Sequence, residues 1–190
     1  MRLNDPLITT FTYKGIKYDI DLSFDNVLDA YDVLDMRYLR DHEKARMCLS
    51  LLLDDQVYDV SETFELWNYI YLNFIHVESK EIVKKDLLGN PLPAPKEEKN
   101  VSLIDFNQDA NYIYASFMQA YGINLIEQQG KMHWKEYLAL IDGLPSNTRM
   151  KEVIRIRTWK PSKHDSTEYK EQMKELQEFY ALDNDKDEMR

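Results

Sequence analysis

Apolar residues recur along this chain with two different periods, and the change of period divides it into elements. Between Thr9 and Ile20 the pattern alternates: Thr9-Thr10-Phe11-Thr12-Tyr13, then Lys14-Gly15, then Ile16-Lys17-Tyr18-Asp19-Ile20. β-favouring runs on either side of a two-residue, glycine-containing turn predict a short hairpin. A lone hairpin is marginal, so its apolar face must rest on the next elements of the chain. From Ser23 the period becomes helical, with Ser23 placed to cap a helix bearing Phe24, Val27, Leu28, Tyr31 and Leu34 on its apolar side. After a charged break from Arg37 to Asp41, a second helix carries Met47, Leu51 and Leu52 inward and ends at Asp54-Asp55. Ser61 opens a third, where Glu62 and Glu65 complement the helix dipole and Phe64, Trp67, Ile70, Tyr71 and Phe74 form the apolar stripe.

Periodicity then stops. Gly89-Asn90-Pro91-Leu92-Pro93-Ala94-Pro95 and the charged run Lys96-Glu97-Glu98-Lys99-Asn100 read as an exposed loop or linker. Helical spacing resumes with Phe106, Ala110, Ile113, Tyr114, Phe117 and Tyr121, and Gly122 stands where a helix-terminating glycine belongs. A helix from Lys131 carries Trp134, Leu138 and Ile141 until Gly143-Leu144-Pro145 stops it. A shorter one spans Met150 to Arg157, and the last, from Thr167 to Leu182, sets Tyr169, Met173, Leu176 and Tyr180 on one side. The expected fold is mainly α, a helical bundle-like protein with a small N-terminal β-hairpin. Its expected divisions are a hairpin-plus-helix region 1–88, the loop 89–100, a helical region 101–182 and a frayed acidic tail 183–190.

Length and composition narrow the class. With 190 residues, 44% of them hydrophobic and 31% charged, the chain can bury a core and is not of disordered composition. Starting at Met1, it reads as a whole gene product. A formal net charge of −10 argues against nucleic acid as a general partner, because phosphate binding needs a dominant positive field. No basic start followed by an apolar run marks a secretory signal, and the longest apolar stretch, Leu66 to Val77, is broken by Asn68, Asn73 and His76. The single Cys48 allows no internal disulfide. These features predict a protein of the cytosol, away from membranes.

Candidate chemistry is sparse. His133 and Glu136 stand three apart on a helix, but a carboxylate-bridged metal pair needs a second such motif and the chain has none. Cys48, within Ala45-Arg46-Met47-Cys48-Leu49, sits on an apolar helix face where packing is the default role. The five glycines form no phosphate loop. The expectation is therefore no catalytic residues, no metal and no cofactor. One stretch departs from the acidic background: Arg149, Lys151, Arg155, Arg157, Lys160 and Lys163 stand against Glu152 alone, with Trp159 among them. Cations near a helix C-terminus can simply be solvated. Cations around an indole also make a docking surface for an acidic or amphipathic partner, and Arg149, Lys151, Arg155, Arg157, Trp159 and Lys160 are its candidate residues.

The second half resembles a known family. Asp105-Phe106-Asn107-Gln108-Asp109, Tyr112-Ile113-Tyr114-Ala115-Ser116-Phe117, Tyr121-Gly122-Ile123-Asn124-Leu125, Met132-His133-Trp134 and Leu140-Ile141-Asp142-Gly143-Leu144-Pro145 follow in that order. The run continues through Lys151-Glu152-Val153-Ile154 to Arg157 and resembles the "gp-fifteen" family of tailed bacteriophages of Gram-positive hosts. Asp105, Phe106, Asp109, Tyr114, Phe117, Tyr121, Gly122, His133, Trp134, Gly143, Leu144 and Pro145 carry the likeness, while Lys135-Glu136 intervene before Tyr137 where the family often has a ring directly after His-Trp. The resemblance implies a product of the tail gene module, encoded beside the tape-measure gene: a tail assembly chaperone that binds the tape-measure protein, keeps it soluble in the host cytoplasm and is absent from the mature virion. It implies no enzymatic activity; tail-tube protein and further copies of the chain are the other partners it suggests. The alternatives are a structural tail component retained in the virion and a small cytosolic adaptor or regulator.

Overall fold

The computed structural model describes residues 4–53, 59–76 and 103–183. The loop expected at 89–100, the boundary at Asp54-Asp55 and all but Asp183 of the acidic tail lie outside the described residues. Within them the protein is mainly α, with seven α-helices and one two-stranded antiparallel sheet. Strand β1 (Thr10–Tyr13) pairs with β2 (Ile16–Asp19), Tyr13 opposite Ile16 and Thr10 opposite Asp19. Lys14 (φ 48°) and Gly15 (φ 82°) both adopt left-handed backbone, the conformation a two-residue hairpin turn needs to match strand twist.

Helices α1 (Phe24–Asp35), α2 (Asp41–Leu52) and α3 (Val60–Ile70) follow, and one π-helical turn, Tyr71–Ile75, extends α3. Their buried faces differ from the expected ones. On α1 the buried residues are Phe24, Val27, Ala30 and Val33, while Leu28, Tyr31 and Leu34 are half-buried. On α2, Ala45, Cys48, Leu49 and Leu52 turn inward and Met47 is exposed. Small residues allow α1 and α2 to approach closely, and Cys48 Sγ lies 3.5 Å from the Ala30 carbonyl oxygen. Asp59, not Ser61, caps α3, its carboxylate accepting from the Glu62 N–H at 2.9 Å. The hairpin rests on α3 through rings: Phe11 lies 5.2 Å from Tyr18, 5.8 Å from Tyr69 and 5.2 Å from Phe74. Lys14 pairs with Glu65 on the same side.

The remaining helices are α4 (Ala110–Tyr121), α5 (Trp134–Asp142), α6 (Arg149–Arg157) and α7 (Thr167–Tyr180), with a 3-10 turn at Leu125–Gln128. Gly122, at φ 65°, ends α4 in the left-handed conformation that only glycine adopts cheaply. Helix α5 begins at Trp134 rather than Lys131 because His133 is its cap.

The chain forms two compact units that are not contiguous in sequence. Met1–Val77 and Gly122–Gly143 make the first; Glu78–Tyr121 and Leu144–Arg190 make the second. The expected region 101–182 is thus divided, its middle segment folding with the N-terminal residues. The cause is a backbone bridge. Phe24 N–H donates to Met132 O at 2.9 Å and Trp134 N–H to Leu22 O at 2.7 Å, joining Ser23 to His133 in antiparallel fashion. Asp25 accepts from the Gly130 N–H beside it. Trp134 then enters the first unit's core. In the second unit α6 packs between α4 and α7, and Ser116 of α4 accepts from the Met150 N–H at 2.9 Å, satisfying an unpaired amide of α6's first turn. No helix among the described residues is long and apolar enough to cross a membrane.

Candidate partner-binding surface

Helix α6 carries most of the cationic segment, and the structure sorts its residues into two groups. Arg157 faces inward. Its guanidinium donates to both carboxylate oxygens of Asp109 at 2.6 and 2.7 Å, to Tyr180 O at 2.7 Å and to Leu103 O at 2.9 Å. Asp109 is fully buried, and its carboxylate also accepts from the Asp105 N–H at 3.0 Å. A planar fork on a carboxylate with its other donors on carbonyls is the arrangement in which a buried charge pair is tolerated. Arg149, at the other end of α6, donates to Glu152 at 2.7 Å and to the Tyr180 hydroxyl, and lies over the rings of Tyr112 (5.7 Å) and Tyr180 (5.4 Å). Both arginines, expected as docking residues, serve the second unit's own packing.

The other group lies outward. Arg155, Lys160 and Lys163 are exposed and Lys151 is half-buried. Trp159 is half-buried, its ring edge-on to Tyr169 at 5.9 Å. Gln177 braces the backbone beneath it: the two N–H donors of its side-chain amide are shared among the carbonyls of Ile156, Arg157 and Trp159, which lie 3.0, 3.2 and 2.9 Å from Nε2 where α6 ends. The indole is therefore held by α7. Tyr169 and Gln177 were not among the expected site residues; helical spacing sets Tyr169 on one side of α7 with Met173, Leu176 and Tyr180, yet it is 39% exposed while Met173 and Tyr180 are buried.

The residues that carry the family likeness support cores and helix ends in both units. Asp105 accepts from the N–H groups of Asn107 and Gln108 in the turn before α4; Phe106 beside it and Tyr114 on α4 are half-buried. Phe117 is fully buried with Tyr121 edge-on to it at 5.8 Å. Gly143 closes α5 with its N–H on Ala139 O; Leu144 is buried, and the Pro145 carbonyl accepts from the Thr148 hydroxyl at 2.7 Å.

His133 and Trp134 anchor the first unit. His133 Nδ1 accepts from the Lys135 N–H at 3.1 Å, while Glu136 accepts from the His133 N–H, a reciprocal cap for α5. Nδ1 acting as acceptor leaves Nε2 as the protonated nitrogen, and Nε2 lies 3.2 Å from Ile8 O. Burial lowers the His133 pKa, opposed by the Ile8 bond. Trp134 is 1% exposed, donates from Nε1 to Ile75 O at 3.1 Å, and stacks on Tyr137, which stacks on Phe24 at 4.8 Å. His133 and Glu136 are occupied in capping, and among the described residues no group of three or more His, Cys, Asp or Glu side chains is placed to hold a metal ion. Burial pushes the Cys48 thiol up to about 12, far from a thiolate nucleophile.

No protein of curated function matches this chain, and no solved structure does. The model of the Bacteriophage Gp15 protein family matches residues 3–182, taking in the hairpin and both units as well as the stretch Asp105 to Pro161 where the likeness is visible by eye. The chain belongs to the bacteriophage Gp15 protein family.

Proposed function

We propose that this bacteriophage protein is a tail assembly chaperone, a binding protein without catalytic chemistry that holds the tape-measure protein in soluble form in the host cytoplasm and leaves before the virion is complete. Family membership supports a phage role, and the tail is what the resemblance of Asp105 to Pro161 implies. The observation that carries the binding reading is the outward half of the α6–α7 surface. On a chain of net charge −10, the exposed Arg155, Lys160 and Lys163 flank Trp159 in sequence, and Trp159 forms a ring pair with Tyr169 on backbone that Gln177 braces.

A tape measure is a very long helical chain whose apolar stripes aggregate until encased. Its acidic and apolar faces suit a surface that combines cations with exposed rings: charge steers the encounter and the rings anchor it. Many weak contacts along one client act by multivalency, so no single site need be tight. The acidic remainder of the chaperone keeps the coated complex dispersed.

Co-expression with the tape-measure product tests this reading. The client should be soluble with the chaperone and insoluble without it, and mass spectrometry of purified particles should find no copies of this chain. Stoichiometric copies in the particle would make it a structural tail component instead.

A further inference from the structure

The chain visits each unit twice, and two of its changes of unit fall at the ends of one segment, Gly122–Gly143. In the second unit the flanks of that segment are clasped together. Gln119 of α4 donates from Nε2 to Asn147 O at 3.0 Å, and one turn further along α4 Ser116 Oγ accepts from the Met150 N–H at 2.9 Å. In the first unit the segment is pinned along its length: the Gly130 N–H donates to Asp25, the Ser23–His133 bridge follows, and Trp134 Nε1 donates to Ile75 O. Neither junction has slack. Helix α4 ends at Tyr121 with Gly122 at φ 65°, α5 ends at Asp142, and Leu144, just past the second junction, is buried.

Each unit is therefore closed through the other. With the segment detached from the first unit, α4 and α6 would be joined by a loose loop of about twenty residues, whose closure entropy the second unit would have to meet. With the second unit unfolded, α5 would reach α1 only across a still longer loose stretch, and the same entropy would oppose the return of Trp134 to the core. Small folded units are only marginally stable, so a term of this size decides whether either stays folded alone.

We propose that Gly122–Gly143 is a coupling element that makes the two units open and close as one. The lock is carried by the chain itself: Trp134 holds the segment in the first unit, while the α4–α6 clasp holds both its ends in the second. A segment folded wholly within one unit would carry no such load, and the other unit could then open alone. Whatever stabilises one unit stabilises the other, and whatever loosens one loosens both. This coupling is independent of the chaperone role.

Native-state hydrogen exchange on the full chain, in urea below the unfolding transition, reads the opening of each unit separately. The slowest amides of α1 and α5 and the slowest of α4 and α6 should converge on one urea dependence. Trp134→Phe, in the first unit, should speed the slowest exchange in α4 and α6 by about tenfold, although it touches neither helix. Ser116→Ala, in the second, should speed the slowest exchange in α1 and α5 by a comparable factor. Inserting about ten Gly and Ser residues after Gly122, and as many after Gly143, gives the tether slack and leaves both sets of contacts in place. In that extended chain each substitution should act only on its own unit. Separate urea dependences in the parent, or a substitution in the parent whose effect stays within its own unit, overturn the proposal. So does coupling that persists undiminished in the extended chain. Should the extended chain fail to fold, the two substitutions in the parent still decide.

Discussion

Arg157 holds Asp109 through two parallel hydrogen bonds across 48 residues of sequence, and the pair ties the start of α4 to the end of α6. Through the Tyr180 carbonyl the same guanidinium reaches the end of α7. One side chain thus joins α4, α6 and α7.

Removing either partner should be costly. Arg157→Ala leaves a buried carboxylate with its charge uncompensated, and Asp109→Asn leaves a guanidinium in the same position, each expected to cost about 3–5 kcal/mol. Replacing both with apolar residues of similar size, Arg157→Met with Asp109→Leu, should recover much of the loss. Urea unfolding of the three variants provides the comparison; single variants as stable as the parent would mean that water reaches the pair.

Trp134 sits at the corresponding place in the first unit. Trp134→Ala should destabilise by about 3–5 kcal/mol through loss of a large buried ring. Trp134→Phe keeps the stacking on Tyr137 but strands the Ile75 carbonyl, so a smaller cost of about 1–3 kcal/mol is expected. Unfolding midpoints and the near-ultraviolet circular dichroism of the indole measure both.

Much of this was legible in the chain, and the exceptions have physical causes. The hairpin announced itself because Lys14-Gly15 interrupts two alternating runs. Helix α6 announced itself because Met150, Val153 and Ile156 recur at helical spacing. The buried faces of α1 and α2 came out rotated because large side chains dominate a periodicity reading, whereas closest helix contact selects Ala30, Ala45 and Cys48. The Asp109–Arg157 pair was invisible: a carboxylate ahead of one helix and a cation at the end of another read as solvated charges until the fold brings them together. Recruitment of Gly122–Gly143 to the N-terminal unit runs largely through backbone bonds at Leu22, Phe24, Met132 and Trp134, which leave no mark on residue identity. The outward half of the cationic segment was legible as a charge contrast; its ring partner Tyr169 was not, because helical spacing groups it with Met173 and Tyr180, which are buried, and says nothing of Trp159.

Stability should fall as the solution is acidified past the ordinary histidine value. The His133 pKa is lowered in the folded state by burial, from 6.5, so the unfolded chain binds the proton first. The neutral ring's contribution is complete above that value and is lost as pH drops through the folded pKa. Protonation at Nδ1 also removes the acceptor that caps α5 at Lys135. His133→Asn keeps a capping oxygen without ionising. Denaturant midpoints between neutral pH and about pH 5 should decline less steeply in this variant than in the parent; parallel declines would remove His133 from the account.

Cys48 should be inert in the folded protein. It is fully buried, and its thiol is pushed up to about 12, so neither access nor thiolate is available. A thiol-specific alkylating reagent should modify it only as fast as the chain opens, and urea should release the reaction. Rapid labelling of native protein would show that α1 and α2 separate readily.

The client surface gives the most direct functional prediction. Charge reversal at Arg157 cannot test it, because that residue holds the second unit together and its loss of function would be a loss of fold. Arg155 and Lys163 are exposed, so Arg155→Glu with Lys163→Glu should shift unfolding by no more than about 0.5 kcal/mol. The same change reverses the field around Trp159, and co-expressed tape-measure protein should move from the soluble to the insoluble fraction. Raising the salt should weaken the parent complex in the same direction, since exposed charges are screened beyond about 8–10 Å. Trp159→Ala removes the anchor and leaves the steering charges, so it should speed dissociation while the association rate holds. Gln177→Ala makes no surface change of its own but frees the backbone under the indole, and it should weaken binding less than Trp159→Ala does. If the folded double-charge variant and Trp159→Ala both keep the client fully soluble at ordinary salt, the α6–α7 surface is a solvated face and the client binds elsewhere.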